Sequence, residues 1–178
     1  MNILQVSTPF LPVRGDIAYG GTERIVYLLD KEFSALGHTS SVAAPLSSLP
    51  TGKLQPTTQV PIFSLKEGET SLPALYLRLE HISKALEYAE QRFDCIHVHD
   101  ENLLPFLGRV QSHSLLTLHF EYKTRDGKIN FWDPVMHPKI LETNTTLVGI
   151  SRKQQEDFKK AGYPVEHVVY HGIEVEQF

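Results

Sequence analysis

The chain has 178 residues, 41% hydrophobic and 21% charged, the composition of one generously sized globular domain with its own core. A formal net charge of −4 provides no basic field for nucleic acid and no polybasic patch for an anionic membrane surface. Cys95 is the only cysteine, so no internal disulfide can form and a reducing, cytoplasmic setting is expected.

The apolar opening Met1–Phe10 is interrupted by Pro9, with Pro12 close behind, and no basic stretch precedes it, so it does not read as a targeting signal. No run approaches the roughly 18 apolar residues a membrane helix needs. A peripheral membrane contact is not excluded. Residues 2–7 (NILQVS) read as a buried first strand. Residues 22–36 carry Ile25, Val26, Leu28, Leu29, Phe33 and Leu36 at helical spacing, and Gly37 follows where a left-handed C-terminal residue is expected. Residues 39–45 (TSSVAAP) read as a second strand. Residues 46–59, rich in Ser, Pro, Thr and Gly, read as a surface loop, and residues 60–65 (VPIFSL) as an edge strand, because Pro61 would be awkward in a central one. The longest helix is expected over 71–92, with Ser71 as its cap and Pro73 just inside. Beyond it come a strand at 94–99 (DCIHVH), a short helix at 103–109 and a strand at 115–120 (LLTLHF). A loop at 121–133 and one helical turn at 138–143 follow. The last elements are a strand at 145–150 (TTLVGI), a helix at 151–161 closed by Gly162, and a strand at 167–171 (HVVYH).

Strand and helix alternate throughout. The fold class expected is α/β: one Rossmann-like, doubly wound, mostly parallel sheet with helices on both faces, spanning residues 1–178 as one domain. In such a sheet ligands bind beyond the carboxyl ends of the strands. Residues 9–21, His99 and Asp100, His119, Ser151 and Arg152, and His171 and Gly172 stand at those ends. Polar or glycine residues thus close five strands on one edge, which marks it as the working edge.

Gly20-Gly21-Thr22-Glu23 places two glycines before a helix start. Free N–H groups and a partial positive charge there suit a phosphate, a carboxylate or a sugar hydroxyl, and glycine allows close approach. The plain alternative is a flexible turn with Thr22 capping and Glu23 complementing the helix dipole. His97 and His99 share one strand face, so both rings could reach one metal ion, but no Cys or carboxylate cluster completes a ligand set, and a packed, hydrogen-bonded His97 is the stronger expectation. His119 ends an apolar strand where a core role would call for an aliphatic residue. It is the best single candidate for chemistry, as an imidazole able to donate to a sugar hydroxyl and to act near neutral pH. Tyr122, Phe131 and Trp132 sit in the following loop, which would be a sugar-facing lid or a cover for the sheet edge. Cys95 reads as a small buried hydrophobe. Glu166 and Glu174 flank a strand and need not face one ligand, and no Asp-x-Asp occurs.

Together, NILQVSTPFLP, YGGTERIVYLLDKEFSALGHTSSVAAP, FDCIHVHD, LLTLHF, LVGISRKQQEDF and VVYHGIEVEQF resemble the family 4 glycosyltransferases, which are GT-B enzymes. The segments follow the family's order and cover nearly the whole chain apart from residues 46–92. The resemblance implies an N-terminal, acceptor-side domain of a retaining transferase that uses a nucleotide-sugar without a metal-binding Asp-x-Asp. By position it implies that Gly20, Gly21 and Thr22 form the loop near the donor phosphates and sugar, and that His119 contacts the donor sugar and supports the reaction. His99, Asp100, Tyr122, Ser151, Arg152 and His171 would lie on the cleft rim or toward the acceptor, with His171 where Asn is frequent. The family's donor domain would follow the HGIEVEQF block, so the expectation is no cofactor bound by this chain alone, a nucleotide-sugar bound together with a C-terminal donor domain or subunit, and a carbohydrate or other small-molecule acceptor. Three other readings stand beside it: a non-catalytic sugar- or nucleotide-binding Rossmann-like module, a metal hydrolase built on His97 and His99, and a GT-B sugar epimerase.

Overall fold

A computed structural model describes residues 1–124, 126–129 and 143–172. Phe131, Trp132, Glu174, most of the turn expected at 138–143 and the end of the HGIEVEQF block lie outside the described residues. Seven strands are present among those described: β1 (Asn2–Val6), β2 (Thr39–Ala44), β3 (Lys53–Pro56), β4 (Cys95–Val98), β5 (Ser114–Thr117), β6 (Thr145–Gly149) and β7 (Val165–Val168). They form one sheet in the order β3-β2-β1-β4-β5-β6-β7, and every pairing is parallel. The helices are α1 (Gly21–Ala35), α2 (Leu72–Ala89) and α3 (Arg152–Lys160), with 3-10 helices at Ile62–Ser64 and Glu101–Arg109. The Rossmann-like α/β expectation holds. No described helix is long and apolar enough to cross a membrane.

Sequence and structure part in the middle of the chain. Residues 46–59 contain the edge strand β3, which the turn-forming composition hid. Pro56 is at its end, where a missing N–H does least harm. Residues 60–65 are not a strand: Ile62–Ser64 make a 3-10 turn, with Ile62 buried and Phe63 half-exposed. The last strand lies earlier than expected, because Val169 and Tyr170 are apolar yet more than 60% exposed beyond its end. Strand β5 stops at Thr117, so His119 and Phe120 belong to the segment after it. Ser71 caps α2 as expected, its Oγ accepting from the Ala74 amide (3.3 Å).

The parallel register sorts the side chains by face, since partners across adjacent strands point the same way. Leu4 and Ile96 pair, as do Val6 and Val98, Val98 and Leu116, and Leu116 and Leu147. All of these lie in the main core together with Ala85 and Ala89 of α2, Leu103, Leu104 and Leu107 of the 3-10 helix, and Phe158 of α3. Each fully buried Leu or Ile there contributes roughly 1.5–3 kcal/mol. The opposite face carries Val42 and Ala44, which pack with Val26 of α1 and Val13. On β4, β5 and β6 the residues that alternate with the main core are His97, Leu115, Thr117 and Val148.

The chain order sets where a ligand would sit. From β1 the chain runs outward through β2 and β3, crosses back through α2, and continues outward from β4 on the other side of β1. The direction reverses between β1 and β4, and the crevice beyond the carboxyl ends of these two strands is the topological switch point.

Candidate functional site

The histidines form a row along one face and edge. His97 Nε2 lies 2.8 Å from Thr117 Oγ1, and its ring centroid is 4.1 Å from that of His99. His99 Nδ1 is 2.8 Å from His119 Nε2, and the His119 ring is 5.0 Å from that of His171. The alternation of β4 makes this possible: His97 and His99 are two residues apart on one face, and β5 delivers Thr117 and His119 with the same spacing. Ile25, Leu28, Leu29 and Glu32 of α1 oppose the row and complete a groove of ≈350 Å³ with Val148, Val169 and Tyr170.

Burial keeps these rings neutral. Desolvation alone lowers His97 to about 4. Desolvation first, then the neighbouring imidazoles, lowers His119 to about 3 and puts His99 well below the ordinary value of 6.5. His171 is lowered by burial too. His119 is therefore neutral near pH 7, the protonation state in which an imidazole can donate a hydrogen bond. Among the described residues no group of three or more His, Cys, Asp or Glu side chains is placed to hold a metal ion. His97 is instead tied to Thr117 and packed, with its ring tilted, against His99.

The glycine turn is split in its causes. Gly20 has φ 133°, and a Cβ there would stand 3.0 Å from Ile17 Cδ1 and 3.1 Å from Leu11 Cδ1, so the chain itself demands glycine. At Gly21 an added Cβ would meet nothing within 4 Å, so internal packing does not explain its lack of a side chain. Thr22 is not the cap: Gly20 occupies that position without a side-chain hydrogen bond. Glu23 is buried and accepts the Thr8 hydroxyl (2.5 Å), which ties the start of α1 to the end of β1. The glycines line neither of the two main cavities, but the parallel topology puts the start of α1 on the strand-end edge that carries the histidines.

The remaining expected rim residues divide. Asp100 is turned inward: it is buried, its Oδ1 accepts from the amide (3.0 Å) and side chain (2.6 Å) of Asn102, and its Oδ2 lies 3.8 Å from His81 Nε2. Tyr122 is mostly buried, and it also lines the second cavity with Ser151. Its ring is 7% exposed and packs edge-on against Phe158 at 5.2 Å, because an aromatic ring there closes the main core over α3. Ser151 caps α3 by accepting from the Gln154 amide (3.1 Å), and it lines a second cavity of ≈590 Å³ with Lys123, Thr124 and Lys153. Arg152 is exposed. Cys95 is half-buried rather than enclosed, and burial raises its thiol pKa.

Three residues that the sequence did not single out shape this edge. Gln154 is buried, and its Nε2 donates to the carbonyls of Leu118 (2.8 Å) and Phe120 (2.7 Å), on either side of His119. Its Oε1 accepts from the Ile150 amide (2.7 Å). Glu101 follows the HVHD segment directly, and burial, then the Asp100 charge, pushes its carboxyl up to about 7. Arg78 of α2 lies with its guanidinium 4.4 Å above the Phe10 ring and lowers the Glu101 pKa in opposition to the burial. Only the position of Glu101 beside the histidine motif could have pointed to it. Arg78 and Gln154 look like ordinary helix-surface residues until the helices are docked.

The sequence profile described as Glycosyltransferase Family 4 matches residues 19–177. The crystal structure of Anabaena Alr3699/HepE in complex with UDP and glucose superimposes with a TM-score of 0.60, covering 99% of this chain at 16% identity, which is a likeness of fold. The present chain spans 46% of that protein. No curated protein matches this sequence.

Proposed function

Because this chain belongs to glycosyltransferase family 4, we propose that it is the acceptor-side domain of a retaining glycosyltransferase, acting in the cytoplasm with a C-terminal donor domain or subunit that closes against its strand-end edge. The observation that carries this reading is the convergence of the paired His99 and His119, with His171, on the edge where α1 begins at Gly20-Gly21. An enzyme that handles a nucleotide-sugar must stabilise negative charge building on the leaving diphosphate and must orient sugar hydroxyls. The first-turn N–H groups of α1 supply partial positive charge without a metal, and Gly21 leaves them approachable. Neutral His119 supplies a directional hydrogen bond to a sugar hydroxyl. In the transfer, the bond from the anomeric carbon to the diphosphate oxygen breaks. The acceptor oxygen bonds to that carbon on the same face, and the acceptor proton leaves with the departing nucleotide diphosphate. Glu101, beside the switch point with its carboxyl pushed up to about 7, suits contact with acceptor hydroxyls.

The test is transfer from a panel of nucleotide-sugars, UDP-glucose included, with and without a C-terminal family 4 donor domain. The chain alone should give no transfer. The assembled protein should give transfer that His119→Ala lowers by about a hundredfold in kcat while shifting the unfolding midpoint little. Equal activity in His119→Ala removes that residue from the reacting centre. The alternative is a binding module without turnover. It would be favoured if the chain alone held a nucleotide-sugar tightly in calorimetry and no donor domain conferred transfer.

A further inference from the structure

His99 has one satisfied ring nitrogen and one that is not. Nδ1 is 2.8 Å from His119 Nε2, whereas Nε2 is buried and has no hydrogen-bond partner among the described residues. The residue is 1% exposed, and its amide is held by donation to the Val6 carbonyl (2.8 Å). With both rings neutral, one proton lies between the two nitrogens, and two arrangements are available. If His119 Nε2–H donates, His99 must carry its own proton on Nε2, which leaves a buried N–H with nothing to accept it. If His99 Nδ1–H donates, the buried Nε2 is a bare lone pair, and the proton of His119 is on Nδ1. Orphaned buried N–H groups are rarer in folded proteins than under-satisfied acceptors, and a buried unmet donor keeps its full desolvation cost.

We propose that His99 is a positioning residue for His119: by donating its Nδ1–H to His119 Nε2, it holds that ring in the Nδ1–H tautomer, so that His119 offers the strand-end edge a hydrogen-bond donor rather than an acceptor. The hydrogen bond made by one ring nitrogen sets the role of the other. The ligand this donor meets is one with exposed oxygen lone pairs, a sugar hydroxyl or a phosphate oxygen, and that identity rests on the transferase reading. The tautomer itself does not. His97, tied to Thr117, packs a tilted ring against His99 at 4.1 Å between centroids and so limits the space open to the donor ring.

The experiment is ring ¹⁵N spectroscopy of the chain carrying ¹⁵N-histidine, at pH 7, with signals assigned by single replacements. In the wild type, His119 should show a protonated Nδ1 and a bare Nε2. In His99→Phe, His119 should relax toward the Nε2–H form that imidazole prefers in water. In His99→Asn the amide nitrogen stands near the former Nδ1 and can donate in its place, so the Nδ1–H form should return. A wild-type His119 protonated on Nε2 overturns the proposal. So does an unchanged His119 tautomer in His99→Phe. If His99→Phe does not fold, the wild-type spectrum and His99→Asn decide the matter alone. In the assembled enzyme, kcat of His99→Asn should exceed that of His99→Phe by about tenfold. Failure of all transfer with the expected spectrum would refute the transferase reading and leave the positioning role standing, whereas Nε2–H in the wild type would do the reverse.

Discussion

Acidification from pH 7.5 to 5 should destabilise this domain, and the histidine row gives the size of the effect. His97, His99 and His119 have folded-state pKa values depressed below the ordinary 6.5 by burial, with His97 at about 4 and His119 at about 3. A depressed histidine binds its proton more readily once unfolded, so its contribution is fully present above pH 6.5 and is lost as pH falls toward the folded value. At pH 5 each unfolded histidine lies 1.5 units below its ordinary pKa while the folded one stays neutral. At about 1.4 kcal/mol per unit that costs about 2 kcal/mol for each of His97 and His119, about 4 kcal/mol together, and His99 adds in the same direction. Glu101 acts in the opposite sense. Its folded pKa is raised from 4.5 to about 7, so protonation between those values stabilises the folded state, by about 2.5 kcal/mol at pH 5. The net loss from His97, His119 and Glu101 is then about 1.5 kcal/mol, which His99 enlarges, against a typical total of about 5–15 kcal/mol. His81, lowered by burial against the pull of Asp100, adds to it. Urea unfolding followed by circular dichroism at half-unit pH steps should give a slope of two to three protons taken up on unfolding near pH 5.5. A slope below one proton would refute the neutral, buried assignment of the row.

The two glycines should separate stability from function. Gly20→Ala forces a side chain into φ 133° and against Ile17 and Leu11, and should lower stability by about 1–3 kcal/mol. Gly21→Ala should leave the thermal midpoint unchanged or raise it slightly, yet weaken nucleotide-sugar binding in the assembled enzyme; loss of fold with unaltered binding would reverse this reading. Asp30 is buried and its Oδ2 accepts from the amides of Thr51 (2.6 Å) and Gly52 (3.0 Å), so Asp30→Ala should cost about 2–4 kcal/mol in urea unfolding, and a loss under 1 kcal/mol would contradict it. Gln154→Leu deprives two carbonyls and one amide of their partner and should cost about 3 kcal/mol or more, with the His119 resonances shifted even where the fold survives.

Sequence patterns are informative here where one local rule governs. The α/β alternation, the Ser71 cap and the polar strand ends each follow from neighbouring residues, and they led to the sheet and its working edge. Strand β3 did not, because Lys53–Pro56 is short, sits at the sheet edge and lies within turn-forming residues. The apolar Val169 and Tyr170 drew the end of the last strand three residues too far, since hydrophobicity without burial mimics a strand. The burial of Tyr122 was not legible because the ring that covers it, Phe158, is 36 positions further on. Pairing of His99 with His119 spans 20 residues and depends on the register of β4 against β5, which neither segment contains by itself.

The side chain of Gln154 bridges what would otherwise be separate loops. One amide grips the chain on both sides of His119, and the same side chain holds the residue that opens α3 from β6. The segments leaving β5 and β6 are thereby coupled into one frame, and α3 is its handle. A displacement of that helix by a docking neighbour would reach the imidazole directly, without passing through the sheet. Substitutions on the exposed surface of α3, such as at Lys153 or Glu156, therefore offer a way to tune the reacting edge from outside the cleft.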